Sequence, residues 1–168
     1  MSQADELLDV VDTGDNIIDT LTRGEIHRRK LMHRSVHLLV FDSAGRVFMQ
    51  KRSLKKDNNP GLWDSSVSGH VDAGESYDDC VVREAGEEIG LHLAAVPERL
   101  FKLNASADTG FEFTWIYRCV NDGPFQLNRQ EIDTGDWFSE SDLDDWLVQR
   151  PTEIARSAQL IWRTYRAS

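Results

Sequence analysis

The sequence predicts an α+β fold, and three observations carry that expectation. Short runs rich in β-branched and aromatic residues, bounded by Gly, Asn, Asp and Ser, recur along most of the chain. One acidic stretch in the middle and two stretches at the C-terminal end have helical character instead. No linker, repeat or low-complexity tract divides the 168 residues, so strands and helices are expected to mix in a single domain spanning 1–168.

Taken in order, LLDVVD (7–12) and IIDTLTR (17–23) flank the turn composition TGDN and read as an N-terminal β-hairpin. A helical turn follows at GEIHRRKL (24–31). HRSVHLLVFD (33–42) and RVFMQKRS (46–53) flank SAGR, and the first is apolar enough for a central strand. DNNPGLWDSSVSG (57–69) is loop and short strand, because Asn, Pro, Ser and Gly dominate it. Residues 78–88 read as helix: strand formers are few, and Asp78 and Asp79 suit the positive end of the helix dipole. Strands are expected again at 98–106 and 111–120, joined by ADTG, and at a run ending in WFS (137–139). Two helices close the chain over about 139–166. The first opens on the S-x-x-D spacing of Ser139 and Asp142, and the second on Pro151, whose missing N–H costs nothing in a first turn.

Composition limits function. A formal net charge of −10 disfavours nucleic acid polymers and anionic membranes as partners. Basic residues gather only locally, at 23–34 and at KRSLKK (51–56), where Lys51 and Arg52 could hold a small anion. Cys80 and Cys119 lack a CxxC partner, which argues against a disulfide framework or a thiolate zinc site. The acidic start MSQADELLDVVD lacks the features of a secretion signal, and no apolar run approaches about 20 residues, so a cytoplasmic protein is expected.

The chemistry concentrates in GHVDAGESYDDCVVREAGEEIGL (69–91). On a helix, Tyr77, Cys80, Val81, Glu84, Glu87 and Glu88 share one arc of about 120°. That face is apolar in its first two turns and acidic in its last two. Three carboxylates there repel one another and oppose the helix dipole, so a positive group must sit among them. Arg83 is one such group. A hard divalent cation such as Mg²⁺ or Mn²⁺, which takes clustered oxygen ligands and is completed by substrate phosphates, is another. Gly69 and Gly74 suit a tight turn beside a ligand, and Glu75 stands near the helix start, able to cap it or reach Arg83.

The spacing of Gly69, Glu75, Arg83, Glu84, Glu87, Glu88 and Gly90 resembles the signature of the Nudix hydrolases. Seven fixed positions at ordinary residue frequencies make a chance match on the order of one in 10⁸. One departure is Ala85, where the family prefers a bulky aliphatic residue. The resemblance implies an α/β/α sandwich with a mixed central sheet, and Mg²⁺-dependent (Mn²⁺ as substitute) hydrolysis of a diphosphate in a small molecule. Glu84 and Glu88 would ligate the metal, Glu87 and Glu75 would complete or support it, and Arg83 would orient the carboxylates. Glu131, on a loop where the family often places a working glutamate, is the first candidate for general base.

TRGEIHRR, LMHRSVHLLVF, QKRSLKKDNNPGLWDSSVSGH and WFS further resemble the isopentenyl diphosphate isomerase branch of the superfamily. That resemblance implies a second, histidine-bound metal, to which His27, His33 and His70 would correspond, with Glu112 as a retained strand carboxylate. The isomerase's working cysteine falls at Ser68, however, and its second carboxylate at Thr114. A hydroxyl is a poor proton donor or acceptor without an activating base, so hydrolysis is favoured over isomerisation. A non-catalytic ligand-binding module is a third reading, against which the complete carboxylate set argues. Substrate identity is left open, and the N-terminal hairpin could pair with a second copy in a homodimer.

Overall fold

The computed structural model describes residues 2–168. Strands β1 (Leu7–Val11) and β2 (Ile17–Thr22) form a separate antiparallel hairpin, and helix α1 (Arg23–Arg29) follows directly. The Thr22 hydroxyl caps α1 by accepting from the Glu25 N–H, and Lys30 ends it in the left-handed conformation at φ 53°. The hairpin tip is clamped rather than free. Asp15 accepts from the Tyr77 hydroxyl (2.7 Å), Arg34 Nε (2.7 Å) and Lys102, while Asp9 accepts from the Gly74 N–H (2.9 Å).

A seven-stranded mixed sheet forms the body of the molecule. Its path is β5 (Trp63–Asp64), β4 (Val47–Arg52), β3 (His33–Phe41), β8 (Glu112–Val120) and β7 (Glu98–Leu103), with β6 (Val67–His70) paired to β3 and β9 (Ile132–Phe138) to β4. β3 runs parallel to β8, placing His33 opposite Glu112 and Ser35 opposite Thr114. It runs antiparallel to β6, placing Ser35 opposite His70 and His37 opposite Ser68. Side chains alternate along β3 as the pleat requires. Val36, Leu38 and Val40 pack under helix α2 (Tyr77–Ile89) with Val81, Ala85 and Ile89. Leu39 and Phe41 pack on the other face under α3 (Glu140–Gln149) and α4 (Arg156–Ala167). The sheet is therefore sandwiched between helices, as the α+β reading expects.

The last helix begins later than the sequence implied. Pro151–Glu153 make a single 3₁₀ turn, and Ile154 and Ala155 return to extended backbone. The cause is tertiary. Trp63 bridges Ile154 in parallel and its carbonyl accepts from the Ala155 N–H (2.9 Å), so the chain adds to the sheet edge before it coils. No described helix is long and apolar enough to cross a membrane.

Candidate active site

Helix α2 is built to carry buried charge. The Ser76 hydroxyl caps its start by accepting from the Asp79 N–H (3.0 Å), and Gly90, at φ 67°, closes its end. Ala85 is fully buried where a larger residue was the family expectation, and it packs within the α2 core cluster. One turn from that apolar face, Glu84 is 9% and Glu88 2% exposed.

Each buried carboxylate has a dedicated seat. Glu84 lies flat against the β6 backbone: a Cβ on Gly69 would stand 2.3 Å from the Glu84 carboxyl carbon. Glu88 Oε1 accepts from the Ser68 N–H (2.8 Å) and from Gln50 Nε2 (3.3 Å). Glu131 arrives from the loop before β9. Its loop is docked on the end of α2 by the Gln126 and Asn128 N–H groups, which donate to the carbonyls of Ile89 and Glu88. One carboxylate oxygen from each of Glu84, Glu88 and Glu131 lies within 4.8 Å of the others. Burial, then repulsion from Glu131 and Glu87, pushes the Glu84 carboxyl up to about 8 against the pull of Arg83. Burial and the neighbouring Glu84 and Glu131 raise Glu88 well above the carboxylate range. Three hard oxygen donors in so small a space fit a Mg²⁺ or Mn²⁺ ion, which would remove that repulsion.

The remaining carboxylates of the motif stand apart from this triad. Arg83 gathers them: its Nε and Nη2 donate to the two Glu75 oxygens (2.7 and 2.8 Å), and its Nη1 donates to Glu84 (2.8 Å) and Glu87 (3.1 Å). Glu75 thus orients Arg83, while the Glu87 side chain, 56% exposed, sits at the rim. Glu131, expected as a base, stands inside the carboxylate group and 3.7 Å from Lys56.

A second cluster shares the same cavity, whose volume is about 680 Å³. The rings of His27, His33 and His70 stand 5.1 to 5.2 Å apart, and Glu112 approaches His70 Nε2 at 3.3 Å and His33 Nε2 at 3.9 Å. His33 Nδ1 faces the Leu31 carbonyl at 2.8 Å, so it carries the proton and leaves a lone pair on Nε2, which is buried without a hydrogen-bond partner. Burial lowers the pKa of all three histidines, keeping their lone pairs free. The hydroxyls of the cross-strand pair Thr114 and Ser35, the latter lining the cavity, are likewise buried and unpartnered.

The two basic positions expected to contact phosphate part company. Arg52 lines the cavity, donating to the Asn58 carbonyl (3.0 Å) and lying 3.4 Å from Asp64; Lys51, one residue earlier on β4, does not line it. The sequence reading missed Lys56, which reaches the cavity after the Ser53–Lys56 turn, although it lay in the same basic run. It also missed Arg23, buried between Glu6 and Asp57 with its Nε unpartnered.

The NUDIX domain profile matches residues 31–160 of the chain. An uncharacterized Nudix hydrolase of Streptomyces coelicolor is 38% identical over 147 residues, covering 86% of this chain and 80% of that protein. An isopentenyl-diphosphate Delta-isomerase of Burkholderia multivorans is 32% identical over 161 residues, covering 94% and 89%. Among solved structures, DR0079 from Deinococcus radiodurans superposes with a TM-score of 0.83 at 28% identity, covering 96% of this chain and all of that one. The family generally hydrolyses pyrophosphate bonds with Mg²⁺. On the match over residues 31–160 and these relatives, the chain belongs to the Nudix family of pyrophosphohydrolases.

Proposed function

We propose that the chain hydrolyses the P–O–P linkage of a nucleoside diphosphate derivative or similar small molecule, with Mg²⁺ or Mn²⁺ held by Glu84, Glu88 and Glu131. The observation that carries this reading is the meeting, in one cavity, of the carboxylates of Glu84, Glu88 and Glu131, the first two buried, with Arg23, Arg52 and Lys56. When bound, the cation neutralises diphosphate charge and makes a neighbouring water easier to deprotonate. Gln50 and the Ser68 N–H keep Glu88 aimed at the site, and Arg83, braced by Glu75, does the same for Glu84. Arg52, Lys56 and Arg23 receive the phosphate oxygens and orient the linkage.

The test is a panel of nucleoside di- and triphosphates, nucleotide sugars, dinucleoside polyphosphates, coenzyme-type diphosphates and prenyl diphosphates, with Mg²⁺ and Mn²⁺ and products resolved by mass. Glu84→Gln and Glu88→Gln should each lower metal-dependent turnover by at least about 10²-fold, the upper end of what even an outer-shell change costs a metal site, with Tm preserved. Unchanged turnover in either variant removes the metal assignment. No hydrolysis across the panel with ligand binding intact would instead mark a binding module.

The histidine cluster with Glu112 favours a second reading, an isomerase of the kind named among the relatives. Ser68 and Thr114 weigh against it: a hydroxyl is a poor proton donor or acceptor without an activating base, and that of Thr114 is buried without a partner. Isopentenyl diphosphate separates the two: hydrolysis releases phosphate, whereas isomerisation changes only the double bond.

A further inference from the structure

With Glu131 inside the carboxylate triad and 3.7 Å from Lys56, the loop before β9 offers no proton acceptor outside that triad. Glu75 and Glu87 are engaged by Arg83, and Glu112 by His33 and His70. His37, on the cavity wall outside both clusters, keeps an unused lone pair.

The hydrogen bonds around His37 fix its tautomer. The Ser65 hydroxyl donates to the Val67 carbonyl (3.2 Å), so toward His37 Nδ1 (2.6 Å) it acts as acceptor and the proton resides on Nδ1. Asp64 Oδ1, 3.8 Å from the same nitrogen, favours that tautomer and is itself anchored by the Ser65 N–H (2.8 Å) and by Arg52 (3.4 Å). Nε2 therefore carries the lone pair, and among the described residues nothing donates to it. Its direction follows from the sheet: His37 is the cross-strand partner of Ser68, so the two side chains stand on one face with Cβ atoms about 4.5–5.5 Å apart. Ser68 is also the residue whose N–H seats Glu88. His37 thus lines the cavity, across the strand pair from the residue whose N–H seats Glu88. Burial keeps the imidazole below its ordinary pKa; Asp64 on β5 and Glu112 on β8 oppose that, and Arg52 on β4 adds to it.

We propose that His37 is the general base of the hydrolysis, with Ser65 and Asp64 as its positioning residues. His37 Nε2 takes a proton from the attacking water as the water oxygen bonds to phosphorus. The bridging P–O bond breaks with its electron pair leaving on the departing phosphate, and the proton passes from Nε2 to solvent.

This inference rests on the hydrolase reading, and the experiment separates the two. The wild-type chain is first assayed on the diphosphate panel with Mg²⁺, and His37→Ala on the best substrate found. The expected result is a kcat lower by about 10²- to 10⁴-fold, with KM and the Kd for Mn²⁺ within threefold of wild type and partial restoration by added imidazole. Ser65→Ala should lower kcat by about tenfold and leave KM unchanged. Should His37→Ala fail to fold, His37→Asn, which keeps a donor to Ser65 without a basic lone pair, takes its place. Wild-type inactivity on the whole panel overturns the hydrolase reading and this inference with it. An active wild type whose His37 variants keep kcat within threefold, or lose it together with Mn²⁺ binding and without imidazole rescue, overturns the inference alone.

Discussion

Gly69→Ala puts one methyl group where the structure has no room for it. The added Cβ would stand 2.3 Å from the Glu84 carboxyl carbon, 2.5 Å from its Oε1 and 2.6 Å from its Cγ. Nonbonded heavy atoms of this kind settle at about 3.5–4.0 Å, so the shortfall exceeds an ångström at three atoms at once. Glu84 cannot yield in place, because it is 9% exposed and Arg83 holds its carboxylate at 2.8 Å. It must swing out of the triad. Loss of one of three ligands should weaken Mn²⁺ binding by at least about tenfold, or about 1.4 kcal/mol. Stability responds less: overpacking costs about 1–3 kcal/mol, against about 0.4–1 kcal/mol recovered from the stiffer unfolded chain. At about 2–4 °C per kcal/mol for a chain of this size, Tm should fall by only a few degrees. Calorimetric or EPR titration with Mn²⁺, beside a melt of the metal-free protein, measures both quantities. A variant whose Mn²⁺ affinity stays within twofold of wild type would show that Glu84 is not seated for metal.

Two further outcomes follow from the site. The Glu84 carboxyl, at about 8 when folded against 4.5 unfolded, binds more protons in the folded state, so its stabilising contribution is full below 4.5 and is lost as pH rises through about 8. Metal-free protein should therefore lose Tm across that window, Mn²⁺ should stabilise most at its alkaline end, and Glu84→Gln should flatten the profile; equal slopes in variant and wild type would contradict the assignment. Lys56→Met should raise KM for a diphosphate substrate by about tenfold, the scale of one lost charge-assisted hydrogen bond, whereas Lys51→Met should leave it unchanged. Steady-state kinetics on the two variants checks both at once.

What the sequence made legible was what short-range pattern encodes. The hairpin and α2 with its acidic end follow from turn composition, helical spacing and the Nudix signature, the last lying within 23 residues, whereas Gly69, read as a turn glycine, stands in β6 with Glu84 against it. Distant chain segments were harder to place. Glu131 lies 43 positions beyond Glu88, and only the docking of its loop on the α2 carbonyls shows that it completes the triad. Lys56 could not be told from Lys51 until the turn after β4 was seen to carry it back over the cavity. The delayed start of α4 was invisible for the same reason, since Trp63 captures Ile154 and Ala155 from another strand. His37 gave no signal at all, being one more residue in an apolar strand until its register with Ser68 is known.

The clamped N-terminal hairpin divides the labour of the molecule. One wall of the cavity, with His27 and Arg23, belongs to α1, which hangs from a hairpin fastened by Asp9 and Asp15 rather than woven into the large sheet. The carboxylate triad belongs wholly to the sheet and α2 side. A change in hairpin length or composition should therefore act first on the His27 and Arg23 wall and on the start of α2 that Asp9 and Asp15 hold, and only then on Glu84 and Glu88 in the last turns of that helix.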